Sequence, residues 1–307
     1  MAAETKVCAL TGAHGFVGSR LKRHLERAGW RVVAWTRQPE PGSDAVGFRL
    51  GQSVDPGLLN GADALVHCAY DFGPRRWEEI RAVNVVGSQK LLDAACRAGL
   101  GTVVFISSVS AFAGCRSLYG KAKLEIESAA QAIGAHVIRP GLVYSDNPGG
   151  MFGRLVGQVR GSSFIPIIWG GAQVQFLLHE EDLGKVVQAC LDGRLRGTAK
   201  PITVAHEQGW ELKEILSQIA RALDKGVTFV PVPWQCVWLA LKCLELAGVR
   251  TNFRSDSLIS MVYQNPHLTL AALKPLGFQC RPFKLSPGML EDSQKQLSHN
   301  HGWKSAR

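Results

Sequence analysis

The sequence predicts an α/β protein with a doubly wound parallel sheet and a smaller C-terminal lobe. Over the first 140 residues, short apolar runs alternate with amphipathic stretches of helical length. Strands separated by helices in this way are typical of a parallel sheet that is covered on both faces. A glycine-rich turn separates the first apolar run from the first amphipathic stretch, and after about residue 140 glycine and proline interrupt the alternation.

The predicted elements of the first half follow one another in strand–helix order. Strands are expected at 6–10, 31–35, 62–68, 102–107 and 136–139, and helices at 18–28, 77–98 and 119–132. Right-handed crossovers between parallel strands place these helices on both faces of one sheet, in a Rossmann-like arrangement. A further helix at 179–191 is expected to return the chain to this sheet.

The turn after the first predicted strand carries three glycines between Thr11 and Gly18. In such a turn one glycine allows the tight bend, one lets the backbone approach a pyrophosphate, and one lets the helix pack on the strand. The phosphates would meet the free N–H groups and the positive end of the helix dipole. The predicted dinucleotide contacts of this turn are Thr11, Gly12, Gly15, Phe16, Val17 and Gly18.

The change in pattern after residue 140 predicts two units and a tail. A dinucleotide-binding Rossmann domain is expected over 1–140 and 179–199. A substrate-binding lobe is expected over 141–178 and 200–298, and 299–307 are interpreted as a tail. The lobe would lie over the carboxyl edge of the sheet, where open α/β sheets bind their ligands.

The spacing T-G-x-x-G-x-x-G resembles the extended short-chain dehydrogenase/reductase family, also called the epimerase/dehydratase family. Residues 66–69 (VHCA), 84–87 (NVVG), 139–144 (RPGLVY) and 177–183 (LLHEEDL) resemble further motifs of that family. The resemblance implies cofactor contacts at Cys68, Ala69, Asn84 and Pro140, whereas His67 is interpreted as structural. The R-Y-F-N run of galactose-type epimerases is absent, which argues against a close match to that group.

A candidate catalytic triad consists of Ser108 at a strand end and Tyr119 and Lys123 at a helix start. Tyr119 and Lys123 are four residues apart and therefore share one helical face. An ammonium beside a phenol favours the phenolate and lowers its pKa, which would make Tyr119 an acid or base. The resemblance implies that Lys123 also contacts the nicotinamide ribose and Ser108 the reacting oxygen; Ser107 and Ser110 are the alternatives to Ser108.

The end of the second predicted strand bears on the choice of cofactor. NAD-binding relatives place a carboxylate there for the ribose hydroxyls, whereas this chain has Trp35-Thr-Arg-Gln38. Arg37 could pair with a 2′-phosphate, so NADP(H) is favoured and NAD(H) is the alternative. The competing interpretation is that Arg37 is a solvated surface arginine. Residues 50–52 (LGQ) also lack the aspartate that relatives often place near the adenine.

Composition narrows the class of partner. The net charge of +10 is dispersed along the chain, which argues against nucleic acid binding. The eight cysteines form no C-x-x-C pair and no zinc-ligand spacing, so no metal site is expected. No secretory signal is visible at the N-terminus, which favours the cytoplasm. Residues 229–249 fit an amphipathic helix, which their internal charges favour, or a membrane contact.

The leading functional hypothesis is hydride transfer between a nicotinamide and a secondary alcohol or ketone. A sugar nucleotide would suit the positive charge, and an apolar carbonyl substrate would suit the tryptophans at 210, 234 and 238. The alternative from another class is a non-catalytic NADP(H)-binding scaffold or regulator on the same fold. A homodimer is compatible with either hypothesis.

Overall fold

The computed structural model describes residues 5–195, 200–249, 251, 253–265, 268–270, 273–285 and 290. The strands in this part of the chain are β1 (Val7–Thr11), β2 (Arg31–Thr36), β3 (Val46–Gly47), β4 (Ala64–His67), β5 (Thr102–Ile106), β6 (His136–Pro140), β7 (Leu142–Tyr144), β8 (Phe164–Ile167), β9 (Val174–His179), β10 (Ile202–Val204), β11 (Gly209–Glu211) and β12 (Thr228–Pro231).

The helices are α1 (Phe16–Arg27), α2 (Trp77–Ile80), α3 (Gly87–Arg97), α4 (Leu118–Ala132), α5 (Gly150–Gly161), α6 (Glu180–Leu191), α7 (Leu212–Ala222), α8 (Trp234–Leu246) and α9 (Ser255–Val262). Three short 3₁₀ segments lie at Pro56–Leu59, Ile168–Gly171 and Lys274–Leu276. A π-helical segment, Arg81–Val86, joins α2 to α3, so the single helix predicted over 77–98 has a widened turn in its middle.

Seven parallel strands form the main sheet in the order β10-β6-β5-β4-β1-β2-β3. The order reverses between β1 and β4, which creates the crevice where such sheets bind ligands. Neighbouring residues of β1 enter different apolar clusters: Leu10 packs in one with α1 and α6, and Ala9 packs in the other with α3 and α4. Alternate side chains of a strand point to opposite faces. The predicted doubly wound α/β fold is therefore confirmed.

The remaining strands form two small sheets. β7, β9 and β11 make a three-stranded sheet, and β8 pairs with β12. A third apolar cluster joins them to α5 and α7. β10 differs from the predicted division, because it pairs with β6 in the main sheet although residues 200–298 were assigned to the lobe. The predicted tail, 299–307, lies outside the described residues.

The segment 229–249 comprises most of β12 and the whole of α8. No helix in the described part of the chain is long and apolar enough to cross a membrane. α8 and α9 pack against each other, and α9 packs against α4. Trp234 and Trp238 of α8 belong to the same apolar cluster as Leu258 of α9.

The contact between α9 and α4 is a helix cap supplied from far along the chain. The Asp256 carboxylate accepts hydrogen bonds from the backbone N–H groups of Leu118 (2.7 Å) and Tyr119 (3.0 Å). Ser117 caps the same end by accepting from the N–H of Gly120. First-turn N–H groups have no partner within their own helix, and a carboxylate there also complements the helix dipole. Asp256 therefore holds the start of α4 in place.

We expect Asp256→Ala to lower the free energy of unfolding by about 1–2 kcal/mol, the usual effect of losing a helix cap. Asp44→Ala is the matched control, because the Asp44 side chain is 60% exposed and, among the described residues, pairs with the exposed Arg31 alone. That change should stay within about 0.5 kcal/mol. Urea denaturation of both variants measures the difference. Equal stability of the two variants would show that Asp256 does not cap α4.

Candidate active site

The turn between β1 and α1 has the close backbone packing that the glycines predicted. Gly12 has a φ of +71°, and a β-carbon there would lie 2.8 Å from the backbone nitrogen of Ala69. A β-carbon on Gly18 would lie 2.1 Å from the Gly12 oxygen. Gly15 is the N-cap of α1 and supplies no side-chain cap, and the first turn contains no acidic residue. This helix end therefore fits the phosphates of a dinucleotide.

Phe16 and Val17 link this turn to the rest of the protein. Val17 packs against the core cluster on the α1 side of the sheet. The Phe16 ring lies so close to Gly149 that a β-carbon there would be 2.4 Å from a ring carbon. The Arg20 guanidinium lies 4.6 Å from the centre of the same ring. Phe16 thus packs the start of α1 against the start of α5.

A buried hydrogen-bond chain joins the carboxyl ends of β1 and β4. One nitrogen of His67 lies 2.7 Å from the Thr11 hydroxyl, and the other lies 2.8 Å from the Ser88 hydroxyl. The Ala69 N–H donates to the Thr11 hydroxyl oxygen at 3.3 Å. Burial lowers the pKa of His67 to about 3, so the ring is neutral near pH 7. His67 is thus a fully buried connector at the crevice, as its interpretation as structural requires.

Asn84 lies in the π-helical segment and fixes the loop that follows β4. Its side-chain oxygen accepts from the backbone N–H of Asp71 at 2.7 Å, and its side-chain nitrogen donates to the backbone carbonyl of Asp71 at 3.0 Å. Asn84 is fully buried, so both ends of its amide are used within the protein. Any effect on a cofactor would act through the position of the segment from Cys68 to Asp71. Single π-turns of this kind recur at functional sites.

The three residues of the candidate triad lie close together where β5 ends and α4 begins. The Ser108 side chain lies near enough to the Tyr119 hydroxyl to lower its pKa by hydrogen bonding. The Lys123 ammonium lies 5.9 Å from the centre of the Tyr119 ring and donates to the Ile106 carbonyl at 2.7 Å. Ser108 also accepts from the Ser110 N–H.

The two alternative serines have other partners. The Ser107 hydroxyl is buried and donates to Glu127 at 2.5 Å. The Ser110 hydroxyl accepts from Ser260 at 3.0 Å. Among the described residues, Ser108 is the one of the three serines that lowers the pKa of Tyr119 by hydrogen bonding. This arrangement favours Ser108 as the serine that acts with Tyr119.

Burial dominates the electrostatics of the triad. It raises the pKa of Tyr119 to about 12, with an opposing contribution from the Ser108 hydrogen bond. It lowers the pKa of Lys123 to about 8, although Cys68 and Glu127 favour the charged form. The sequence predicted that Lys123 would lower the pKa of Tyr119, but in the cofactor-free protein burial raises that pKa instead. Tyr119 is therefore protonated at neutral pH and can act as a proton donor.

Sequence reasoning missed the aromatic side chains around Tyr119. Tyr70 meets the Tyr119 ring edge-on at 4.9 Å between ring centres, and Phe72 stacks on it at 5.8 Å. Phe72 is 58% exposed, so it lies between Tyr119 and solvent. Arg254 holds this loop by donating to the Phe72 and Pro74 carbonyls. The loop comes directly after the VHCA segment, but no pattern in its sequence indicates this stacking.

The remaining predicted contacts lie around the same edge of the sheet. Cys68 follows β4, and its N–H donates to the backbone carbonyl of Thr11 at 3.3 Å. Pro140 ends β6 and accepts from the Val109 N–H. Arg37 follows β2 and is exposed, and among the described residues no hydrogen bond or ion pair holds its side chain. Thr36, just before it, contacts His14 of the glycine turn at 3.3 Å. Arg37 is thus adjacent to the predicted dinucleotide site.

Two of the curated proteins to which the chain is similar are named as reductases. The chain is 29% identical to a ceramide reductase of Caulobacter vibrioides over 195 residues, which cover 60% of this chain and 61% of that protein. It is 34% identical to a 2-alkyl-3-oxoalkanoate reductase of Stenotrophomonas maltophilia over 109 residues, which cover 33% of each. The chain thus spans less than two thirds of the length of each of these relatives.

Among solved structures, the chain is similar to MoeE5 in complex with UDP-glucose and NAD. The TM-score is 0.69 at 21% identity, over 94% of this chain and 99% of that one. It is also similar to TunA, an NAD-dependent NDP-hexosamine 5,6-dehydratase, with a TM-score of 0.72 at 15% identity over 94% and 97% of the two chains. At these identities the likeness shows the shared fold.

The family model described as NAD dependent epimerase/dehydratase family matches residues 8–199. This match includes the glycine turn, the triad and the crevice between β1 and β4, and it covers more than half of the chain. The protein therefore belongs to the NAD-dependent epimerase/dehydratase family.

Proposed function

We propose that this protein is an NADP(H)-dependent oxidoreductase that interconverts a ketone and a secondary alcohol, with Tyr119 as the acid and base. The observation that carries the proposal is the convergence of Ser108, Tyr119 and Lys123 at the carboxyl edge of the sheet. A nicotinamide cofactor supplies or accepts the hydride when it is bound. The side chains provide the proton and hold the reacting oxygen.

Tyr119 has the protonation state that ketone reduction needs. Its pKa of about 12 keeps the phenol protonated at neutral pH, so it can give a proton to the oxygen that gains charge. The Ser108 hydroxyl lies near the phenol and would donate a hydrogen bond to that same oxygen. Lys123 is charged below a pH of about 8 and would stabilise the phenolate that remains. We also assign to Lys123 the ribose contact that the family resemblance implies.

Arg37 supports the choice of NADP(H) over NAD(H). It is an exposed cation without a partner in the described part of the chain, and it follows the strand whose end contacts the glycine turn. A guanidinium can form paired charge-assisted hydrogen bonds to a phosphate. A carboxylate at this place would instead repel the 2′-phosphate.

An apolar ketone is the substrate class that the surroundings of Tyr119 favour. Tyr70 and Phe72 present two aromatic rings to it, and Phe72 extends into solvent where a substrate would enter. The ceramide reductase and the 2-alkyl-3-oxoalkanoate reductase are named for substrates with long or alkyl chains, which supports a ketone with an apolar part. The alternative is a sugar nucleotide, because MoeE5 was solved with UDP-glucose.

We expect Tyr119→Phe to lower turnover with any ketone found by roughly 10²–10⁴, the usual effect of a positioned acid. Lys123→Met should slow the reaction and weaken cofactor binding, and Ser108→Ala should cost less. Tyr263→Phe is the matched control, because Tyr263 also loses one hydroxyl but stacks on Arg116 away from the triad. Cofactor oxidation measures all four variants. Wild-type turnover in Tyr119→Phe would refute the assignment, and tight NADPH binding with no turnover on any substrate would favour a scaffold.

We expect Arg37→Ala to weaken NADPH binding by about one to two orders of magnitude, because hydrogen bonds to charged groups contribute about 1.5–3 kcal/mol. NADH binding should not change. Arg31→Ala is the control, because Arg31 begins the same strand and its side chain is 59% exposed. Calorimetric titration with both cofactors tests this. Equal NADPH affinity in Arg37→Ala and Arg31→Ala would show that Arg37 is only a solvated surface residue.

The pKa of Lys123 predicts a pH-dependent contribution to stability in the cofactor-free protein. The ordinary lysine pKa is 10.5 and the folded value is about 8, so between them the unfolded chain binds more protons here. Stability from this group must therefore rise with pH across that window, by roughly 3 kcal/mol in total. The free energy of unfolding of the wild type, minus that of Lys123→Met, should therefore rise between pH 8 and pH 10.5. Lys90→Met, at an exposed lysine, should show no such trend, and a flat Lys123 difference would contradict the burial of a charged ammonium.

A further inference from the structure

The helix α8 has an unusual distribution of polar and apolar residues. A surface helix normally directs its charged residues to solvent and its apolar residues inwards. In α8 the only charged residues, Lys242 and Glu245, lie on the partly buried side with Trp234, Trp238 and Leu241. The exposed residues of this helix are Gln235, Cys236, Leu239, Ala240, Cys243, Leu244 and Leu246, none of which carries a charged side chain. Its outer face is therefore apolar.

The exposed area on this face is large. Leu239 is 59% exposed, Leu246 is 83% exposed, and Leu244 and Val249 are 41% and 45% exposed. No residue of α8 is classed as buried. Scattered exposed leucines are normal, but several on one helix indicate a surface that binds something. We refer to the exposed face of α8 together with Val249 as the α8 face.

Basic side chains line a cavity on the partly buried side of α8, the side that carries Lys242 and Glu245. The cavity has a volume of about 180 Å³ and lies between α8, α9 and the start of α4. Its cationic lining residues are Arg75, Arg116, Lys242 and Arg254. The Nε atom of Arg254 is buried and has no hydrogen-bond partner in the described part of the chain.

The two acidic residues of this cavity are already engaged. Glu245 accepts from the Ser255 N–H at 2.9 Å and from the Ser255 hydroxyl at 2.8 Å. Asp256 caps α4. Lys242 lies 3.8 Å from Glu245, and Arg75 and Arg254 donate to backbone carbonyls. Four cations and two carboxylates still leave the cavity lining with a formal excess of two positive charges. An anion such as a lipid phosphate would complement it.

We propose that the α8 face docks on an anionic phospholipid bilayer, with lipid phosphates at the basic cavity. An interfacial helix inserts its apolar side into the boundary of the acyl chains, and nearby cations attract anionic headgroups. A second copy of the chain fits less well as the occupant. Its basic cavity would come close to the first one, and both chains carry a net charge of +10. Charge complementarity therefore favours the bilayer.

The α8 face is connected to the candidate active site. Arg75 donates to the Glu245 carbonyl in the last turn of α8 at 2.5 Å and to the Val249 carbonyl, three residues after the helix, at 3.3 Å. Arg75 belongs to the loop that places Phe72 on Tyr119. A docked protein would therefore hold this loop close to the bilayer, where an apolar substrate is dissolved. The docking itself does not depend on the proposed reaction.

The test is co-sedimentation of the full chain with vesicles, which does not require a substrate. We expect the wild type to pellet with phosphatidylglycerol–phosphatidylcholine vesicles, to pellet less with pure phosphatidylcholine, and to be released by salt. Leu246→Asp and Leu239→Asp should each weaken binding by about tenfold or more, because each removes a leucine side chain that docking would bury in the bilayer. Leu58→Asp is the matched control, since Leu58 is 49% exposed on the Pro56–Leu59 segment. Its binding should equal that of the wild type.

Three results would overturn the proposal. The wild type would remain in the supernatant with anionic vesicles, or Leu246→Asp would pellet as the wild type does. In the third, light scattering would show a dimer that Leu246→Asp converts to a monomer, which would make a second copy the occupant of the α8 face. If the wild type binds vesicles but turns over none of the substrates tested, the proposed reaction is contradicted and the docking proposal stands.

Discussion

The buried hydrogen bond from the Lys123 ammonium to the Ile106 carbonyl is the interaction on which the candidate site depends. Lys123 is 3% exposed, and a buried ammonium is costly unless its hydrogen-bonding groups find partners. The bond ties α4 to the last residue of β5, at the point where the chain leaves the sheet. Tyr119 lies one helical turn earlier on the same face, so fixing Lys123 also fixes the phenol near Ser108.

The same helix is held at two further places, and each brings in a distant part of the chain. Glu127, one turn after Lys123, forms a paired contact with the Arg139 guanidinium and accepts from Ser107. Asp256 secures the first turn of α4 from the C-terminal part of the chain. A residue 137 positions from Tyr119 thus determines where the candidate acid lies. The geometry of the triad is therefore a property of the whole fold.

Most of the fold could be predicted from the sequence because its signals are local. The period of the apolar residues indicates strand or helix within a few positions, and the glycines of the β1–α1 turn mark a backbone that other residues would obstruct. The site was less predictable. The stacking of Phe72, the cap from Asp256 and the raised pKa of Tyr119 arise from contacts between distant segments. Burial raises the pKa of Tyr119, which is opposite to the expected effect of Lys123. The partners of Ser107 and Ser110 likewise emerge only in three dimensions.

The most direct test of hydride transfer at this site follows the hydrogen itself. NADPH carrying deuterium on nicotinamide C4 is incubated with the protein and a panel of apolar ketones, and the products are analysed by mass spectrometry. If the triad supports the proposed reaction, an alcohol forms with the deuterium on its carbinol carbon, while the hydroxyl proton comes from solvent through Tyr119. Tight binding of the cofactor with no deuterium in any product, from apolar ketones or from sugar nucleotides, would contradict the account.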